Sequence, residues 1–175
     1  DSRGQRIAVI DALNNATQYI YDALGRLVNT IDAFGSVTHN EYDAAGRLIR
    51  SVRNYDESRP QNDLNLYNIV TQYEYDAAGR RVRVIDTYGN TTQYVYDAAD
   101  RLISTTDAAG NVTTNSYDAG GRLLTTTDAL GHTTRYEYDA LGRQTAVIDA
   151  LNHRTTTSFN AANNTSSVTD ALGNT

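Results

Sequence analysis

The chain has 175 residues and a formal net charge of −6, with arginine supplying every fixed positive side chain and no cysteine, methionine or tryptophan. An acidic chain without basic stripes argues against a nucleic-acid surface, and the lack of cysteine rules out disulfide staples and thiolate metal sites. Leu, Ile, Val and Phe make up about a fifth of the residues, too little for a thick two-layer core, so a thin sheet stitched by Tyr and Thr is the better match.

In chain order, an aromatic residue followed by a turn-forming residue recurs at Tyr21-Asp22, Tyr42-Asp43, Tyr75-Asp76, Tyr96-Asp97, Tyr117-Asp118, Tyr138-Asp139 and, in eroded form, Phe159-Asn160. The interval is 21 residues at every step except Tyr42 to Tyr75, where it is 33. A fixed period of this length marks a repeat architecture, whose function belongs to an array and not to one pocket. The defining residues continue through Gly25-Arg26, Gly46-Arg47, Gly79-Arg80, Gly121-Arg122 and Gly142-Arg143, most often as Tyr-Asp-Ala-x-Gly-Arg-Leu. Half a period later a second signature, Asp-Ala-x-Gly-x-x-Thr, runs from Asp32, Asp107 and Asp128, with near relatives at Asp11, Asp86 and Asp149. Asp suits the first position of a type I turn because its carboxylate accepts a nearby backbone N–H, and Gly or Asn three residues later tolerates positive φ.

Between the turns lie runs of about five to seven residues rich in Thr, Val, Ile, Leu and Tyr, which is strand composition. Tyr19 and Tyr21, Tyr73 and Tyr75, Tyr94 and Tyr96, and Tyr136 and Tyr138 sit two apart and so share a sheet face, while Ile20, Glu74, Val95 and Glu137 point the other way. No segment sustains helical apolar spacing without an interrupting Gly, so essentially no helix is expected. The fold class is all-β: an antiparallel hairpin array of about eight repeats and roughly sixteen strands spanning residues 1–175, bending into a shell, spiral or hollow tube because open sheets seldom stay flat beyond ~10 strands. Asp1-Ser2-Arg3-Gly4 registers with Asp22-Ala23-Leu24-Gly25, and the final residues fall inside a second-type turn, as expected of a piece of a longer array.

One segment breaks the period. Between Ser51 and Val70 there are 12 residues more than the repeat requires, read as an inserted loop at 54–68 that contains the one proline, Pro60. Long connections in repeat domains tend to be functional or disordered, although a neutral insertion explains this one more simply.

Each sharper chemical reading has a plainer competitor. The repeated aspartates resemble a calcium ladder only superficially, since each turn offers one carboxylate where calcium needs six to eight oxygens; turn capping is preferred. A carboxylate pair for glycoside hydrolysis would have to arise by chance among residues that serve the repeat. His39, His132 and His153 lie in or beside turns without motif spacing and read as solvated polar residues. Asn15, Asn90, Asn111, Asn163 and Asn164 fit the N-glycosylation pattern, but turn chemistry accounts for most of them. The tyrosines could stack on sugars or line a cavity; a packing ladder is preferred. No catalytic, cofactor or metal residue is therefore proposed, and no run of eighteen apolar residues calls for a membrane-spanning helix.

The repeated Tyr-Asp-Ala-x-Gly-Arg-Leu with Asp-Ala-x-Gly-Asn-x-Thr between resembles the YD repeats of the RHS family, which includes bacterial Rhs toxins, the B and C components of insecticidal Tc toxins, cell-wall-associated proteins and teneurins. The resemblance covers nearly the whole chain apart from the insertion and the eroded Phe159 to Asn163. It implies a strip of hairpins spiralling into a hollow shell that, in the toxin branch, encloses a C-terminal toxic polypeptide. It further implies a secreted or cell-surface protein, bacterial by its Ala-rich turns, partnered by the enclosed toxin or by other segments of the parent chain. The autoproteolytic aspartyl segment of that branch has no counterpart here, so no catalytic Asp is carried over and no enzymatic activity is expected. Two other readings remain open: an extracellular adhesin whose Tyr-bearing face binds glycans, and a fibre or tube that self-associates through edge strands.

Overall fold

A computed structural model describes residues 1–59, 67–162 and 164–175. Pro60 to Leu66, within the expected inserted loop, and Asn163, within the eroded repeat, lie outside the described residues. The chain divides into two compact units, Asp1–Thr92 and Gln93–Thr175.

The first unit holds β1 (Ala8–Ile10), β2 (Ala16–Tyr21), β3 (Leu27–Ile31), β4 (Val37–Tyr42), β5 (Leu48–Arg53), β6 (Ile69–Tyr75) and β7 (Arg81–Ile85). After β8 (Thr91–Tyr96), which crosses the boundary, the second unit holds β9 (Leu102–Thr106), β10 (Val112–Tyr117), β11 (Leu123–Thr127), β12 (Thr133–Tyr138), β13 (Gln144–Ile148), β14 (Arg154–Phe159) and β15 (Thr165–Thr169). Within each unit successive strands pair antiparallel in sequence order, for example β2 with β3, β3 with β4 and β4 with β5. The described residues contain fifteen strands and no helix.

Each Tyr-Asp turn is a type I turn closed by a left-handed residue and a β-bulge. Gly25, Gly46, Gly79, Gly121 and Gly142 all have φ between 80° and 85°. Beyond the turn the register steps: Ile20 faces Asn29 but Tyr21 faces Leu27, leaving Val28 as the extra residue. The same step recurs at Tyr42, Tyr75, Tyr96, Tyr117, Tyr138 and Phe159. A bulge of this kind adds local twist and re-aims the side chains that follow. Asp100 stands where the other Tyr-Asp repeats have glycine and adopts φ 62°.

Tyr19 and Tyr21 are half-buried while Gln18 and Ile20 between and beside them are exposed, so the alternation divides the two sheet faces. Among the described residues only Val52, Val70 and Ala146 are buried hydrophobics. Val52, fully buried, sits between His39 on β4 and Val70 on β6. Ala146 is 2% exposed on β13, the strand that Arg154 of β14 crosses to reach Glu137 of β12 with two bonds of 2.7 and 2.6 Å. Glu41 with Arg50 and Glu74 with Arg83 make directly opposed pairs of the same kind.

Asp100→Gly is expected to stabilise the second unit by about 1 kcal/mol, because a residue with a Cβ is strained at positive φ. Gly121→Val, where a Cβ would meet no atom within 4 Å, should cost about 1–2 kcal/mol from backbone strain alone. Thermal unfolding of the two variants checks both.

Candidate functional site

The repeat-defining residues converge on one side-chain motif. In the turn from Asp22, Oδ1 accepts hydrogen bonds from the backbone N–H groups of Leu24 and Arg26, both at 2.9 Å, and Oδ2 accepts one from Arg26 Nε at 2.7 Å. The turn backbone closes itself, with Gly25 N–H donating to the Asp22 carbonyl and Asp22 N–H to the Arg26 carbonyl. A single carboxylate thus satisfies two donors that the turn would leave unpaired and fixes a guanidinium. The pairs Asp43–Arg47, Asp76–Arg80, Asp97–Arg101, Asp118–Arg122 and Asp139–Arg143 repeat it at 2.6–2.7 Å.

The fixed arginine then reaches the next hairpin. Arg26 Nη1 donates to the main-chain carbonyl of Asp43 at 3.0 Å, and its guanidinium lies 5.1 Å from the centre of the Tyr42 ring. Tyr42 answers by donating its hydroxyl to the Leu27 carbonyl at 2.8 Å. The stacking recurs as Arg47 on Tyr75, Arg101 on Tyr117, Arg122 on Tyr138 and Arg143 on Phe159, at 4.6–5.2 Å. Hydroxyl donation recurs from Tyr75 to Leu48, Tyr117 to Leu102 and Tyr138 to Leu123. The ion pair forms inside each turn, and what crosses to the next turn is a bond to its backbone carbonyl, because the carboxylate is already turned inward onto its own N–H groups.

The second turns use the same device. Asp32 Oδ1 accepts from the N–H groups of Phe34 and Ser36, and Asp107 adds a bond from Asn111 Nδ2 to Oδ2 at 2.8 Å. Asn15 and Asn90 give their side-chain amides in the same way, so three of the glycosylation-pattern asparagines are engaged as caps. His132 and His153 take this position too, with Nδ1 at 3.0 and 2.8 Å from the carboxylates of Asp128 and Asp149. Their role is legible once the i+4 position of every turn is aligned. His39 differs: its Nδ1 lies 2.7 Å from Asn29 Oδ1 and its ring stacks on Tyr55.

This capping depresses the turn carboxyls. Asp22, Asp43 and Asp118 fall below the ordinary value chiefly through the N–H groups of Arg26, Arg47 and Arg122. Asp76, Asp97 and Asp139 fall chiefly through the side chains of Arg80, Arg101 and Arg143. At Asp128 and Asp149 desolvation is the largest effect and pushes upward, but the bonds from His132 and His153 together with the Leu130 and Leu151 N–H groups outweigh it.

The inserted loop supplies a second locality. Asn54 and Asn68, each at φ 50°, close its base through a 3.0 Å bond from Asn68 N–H to the Asn54 carbonyl. Asn68 is 4% exposed and donates its side-chain amide to the carbonyls of Asp56 and Arg59 while accepting from the Asp56 N–H. Among the described residues no three His, Cys, Asp or Glu side chains gather in a metal-holding group.

The sequence matches the RHS repeat family over residues 1–37, 21–55, 89–112, 96–132, 117–155 and 138–175. No curated protein matches it in sequence. Among solved structures, it resembles a crystal structure of TcdB2-TccC3-TEV, with TM-score 0.52 and 14% identity over 96% of this chain and 12% of that one. It also resembles a Photorhabdus luminescens Tc holotoxin pore carrying a TccC3 mutation, with TM-score 0.51 and 15% identity over the same shares. At these identities the likeness is one of fold, and the chain spans about an eighth of the length of those structures.

Two outcomes follow from the ladder. Tyr138→Phe should cost about 1 kcal/mol by orphaning the Leu123 carbonyl, and Phe159→Tyr should recover a similar amount by reaching the carbonyl of Gln144, as read from chemical denaturation. Because the folded carboxyls lie below their ordinary 3.8, the folded chain takes up protons later than the unfolded one as pH falls. The unfolding midpoint should therefore be flat above that value and decline below it.

Proposed function

The chain belongs to the RHS repeat family, and on that footing we propose that it is a wall segment of an RHS-type shell that encloses or displays another polypeptide. The observation that carries this reading is where the polar groups are used. The aspartate closes its own turn and the arginine and tyrosine hold the neighbouring hairpin, so the repeat-defining side chains serve extension of the wall. A wall assembled from hairpins that hold one another by polar contacts needs little buried core, in keeping with three buried hydrophobic residues among those described.

The same geometry weighs against the Tyr117-type rings as a glycan-binding row, since the hydroxyl that a sugar would bond is already given to a neighbouring carbonyl. In this proposal the partners are the enclosed polypeptide and other segments of the parent chain, the setting is extracellular or at the cell surface, and the segment has no catalytic role.

The test uses the parent protein with its cargo. Cargo is expected to resist added protease at least about tenfold longer inside the intact array than after the array is unfolded, and Tyr117→Ala with Tyr138→Ala together should shorten that protection. Equal digestion with and without the folded array would exclude enclosure.

A further inference from the structure

Where the insertion leaves β5 and returns to β6, the first unit carries a cavity of about 340 Å³ lined by Phe34, Gly35, Ser36, Val37, Asn54, Tyr55 and Tyr67. That volume lies at the lower end of the range of small-ligand sites. Three aromatic rings meet there from separate parts of the chain: Phe34 from the tip of a second-type turn, Tyr55 from the outgoing limb of the insertion and Tyr67 from its returning limb.

The two tyrosines are held in place. The Tyr55 ring stacks on His39 with centroids 4.7 Å apart and planes 24° apart, and His39 is itself bonded to Asn29. The Tyr55 N–H donates to the Val37 carbonyl at 2.9 Å. The Tyr67 ring lies under the Arg59 guanidinium at 4.2 Å, and Arg59 is neutralised by Asp56 at 3.1 Å. Ser36 and Asn54 are hydrogen-bonded to each other across the cavity wall. Phe34, by contrast, is 95% exposed, the most exposed of the large hydrophobic side chains described. Exposed apolar tips recur at other second turns, and Phe34 is the one placed beside this cavity and its two held aromatic walls.

We propose that this cavity binds a short neutral oligosaccharide. No lining side chain is charged, which disfavours phosphorylated, carboxylated or cationic ligands that need a counter-charge once water is removed. Aromatic rings offer flat apolar faces that complement the C–H face of a pyranose, while the tyrosine hydroxyls donate and accept and the Ser36 oxygen still accepts, the mixed polar groups that sugar hydroxyls require. Holding the rings in advance lowers the ordering cost that weakens binding to open surfaces. The site is separate from the proposed shell role and stands or falls independently of it.

The test is a ¹H–¹⁵N NMR titration of the 175-residue chain with cellotriose, maltotriose and chitotriose. At least one trisaccharide should give saturable shifts centred on the amides of Gly35, Ser36, Asn54, Tyr55 and Tyr67. Phe34→Ala should weaken that binding by about tenfold or more without lowering the unfolding midpoint, since the ring supports nothing in the fold. Tyr136→Ala, in the other unit, should leave affinity unchanged. No saturable shift with any of the three up to about 10 mM, unaltered affinity in Phe34→Ala, or shifts spread along the tyrosine-bearing strands of both units would each overturn the assignment. Binding of a neutral aromatic tripeptide in the cavity with none of the sugars bound would overturn it in favour of a peptide site.

Discussion

The structure depends on a carboxylate folded back into its own turn. Asp22 and its counterparts bind two N–H groups that would otherwise face water, and in doing so they point one oxygen at the residue four positions on. When that residue is arginine, the guanidinium emerges in a fixed direction and lies on the tyrosine of the following hairpin. Each bond is modest, with a typical net value of about 0.5–1.5 kcal/mol for a neutral one. Their effect lies in repetition, because within each unit most Tyr-Asp hairpins bring the same set and lock to their neighbours in the same way. Hydrophobic burial is a minor partner in such a design, and the cross-strand pairs of Glu41 with Arg50 and Glu74 with Arg83 extend the polar logic to the other face.

The two edges of the repeat differ because the i+4 residue differs. Arginine at the first turns is long enough to span to the next hairpin. Asparagine or histidine at the second turns stops at its own aspartate, so those turns close themselves, while the Ser36 hydroxyl reaches Asn54 instead. Their tips carry large apolar side chains in water: Leu13, Phe34, Tyr88, Leu130, Leu151 and Leu172 are 75–95% exposed. One edge of each unit therefore carries a recurring side-chain ladder, and the other, at the second turns, makes individual contacts such as Val70 N–H to Thr87 or Arg135 to Asn152. The insertion replaces one such loop, which is why it can grow without disturbing the arginine ladder.

Much of this was legible in the sequence because the period is a physical constraint. A glycine three residues after an aspartate declares a left-handed position, and tyrosines two apart declare a shared face. The destination of the arginine was not legible, since spacing shows which charges are close but not that a carboxylate is already consumed by backbone donors. The kinship of the two turns was hidden by the change from Arg26 to Ser36 or His132 at the same offset. The stack of His39 on Tyr55 joins residues whose pairing depends on how an aperiodic segment leaves β5, and no repeat rule reaches it. Asp100 looks like ordinary drift from glycine until its φ of 62° shows that the backbone kept its shape.

The range of the contacts has a consequence for how the chain acquires its form. Arg26 reaches 17 residues ahead and Tyr42 15 behind, and even across the insertion Arg47 reaches only 29. A chain in which each hairpin needs only its immediate neighbours has low contact order and no late, distant closure to await. It can mature from one end while the other is still being synthesised. Gain or loss of 21 residues at a time would change how long the strip is while leaving every remaining joint as it was, so its length is a quantity that recombination can alter freely.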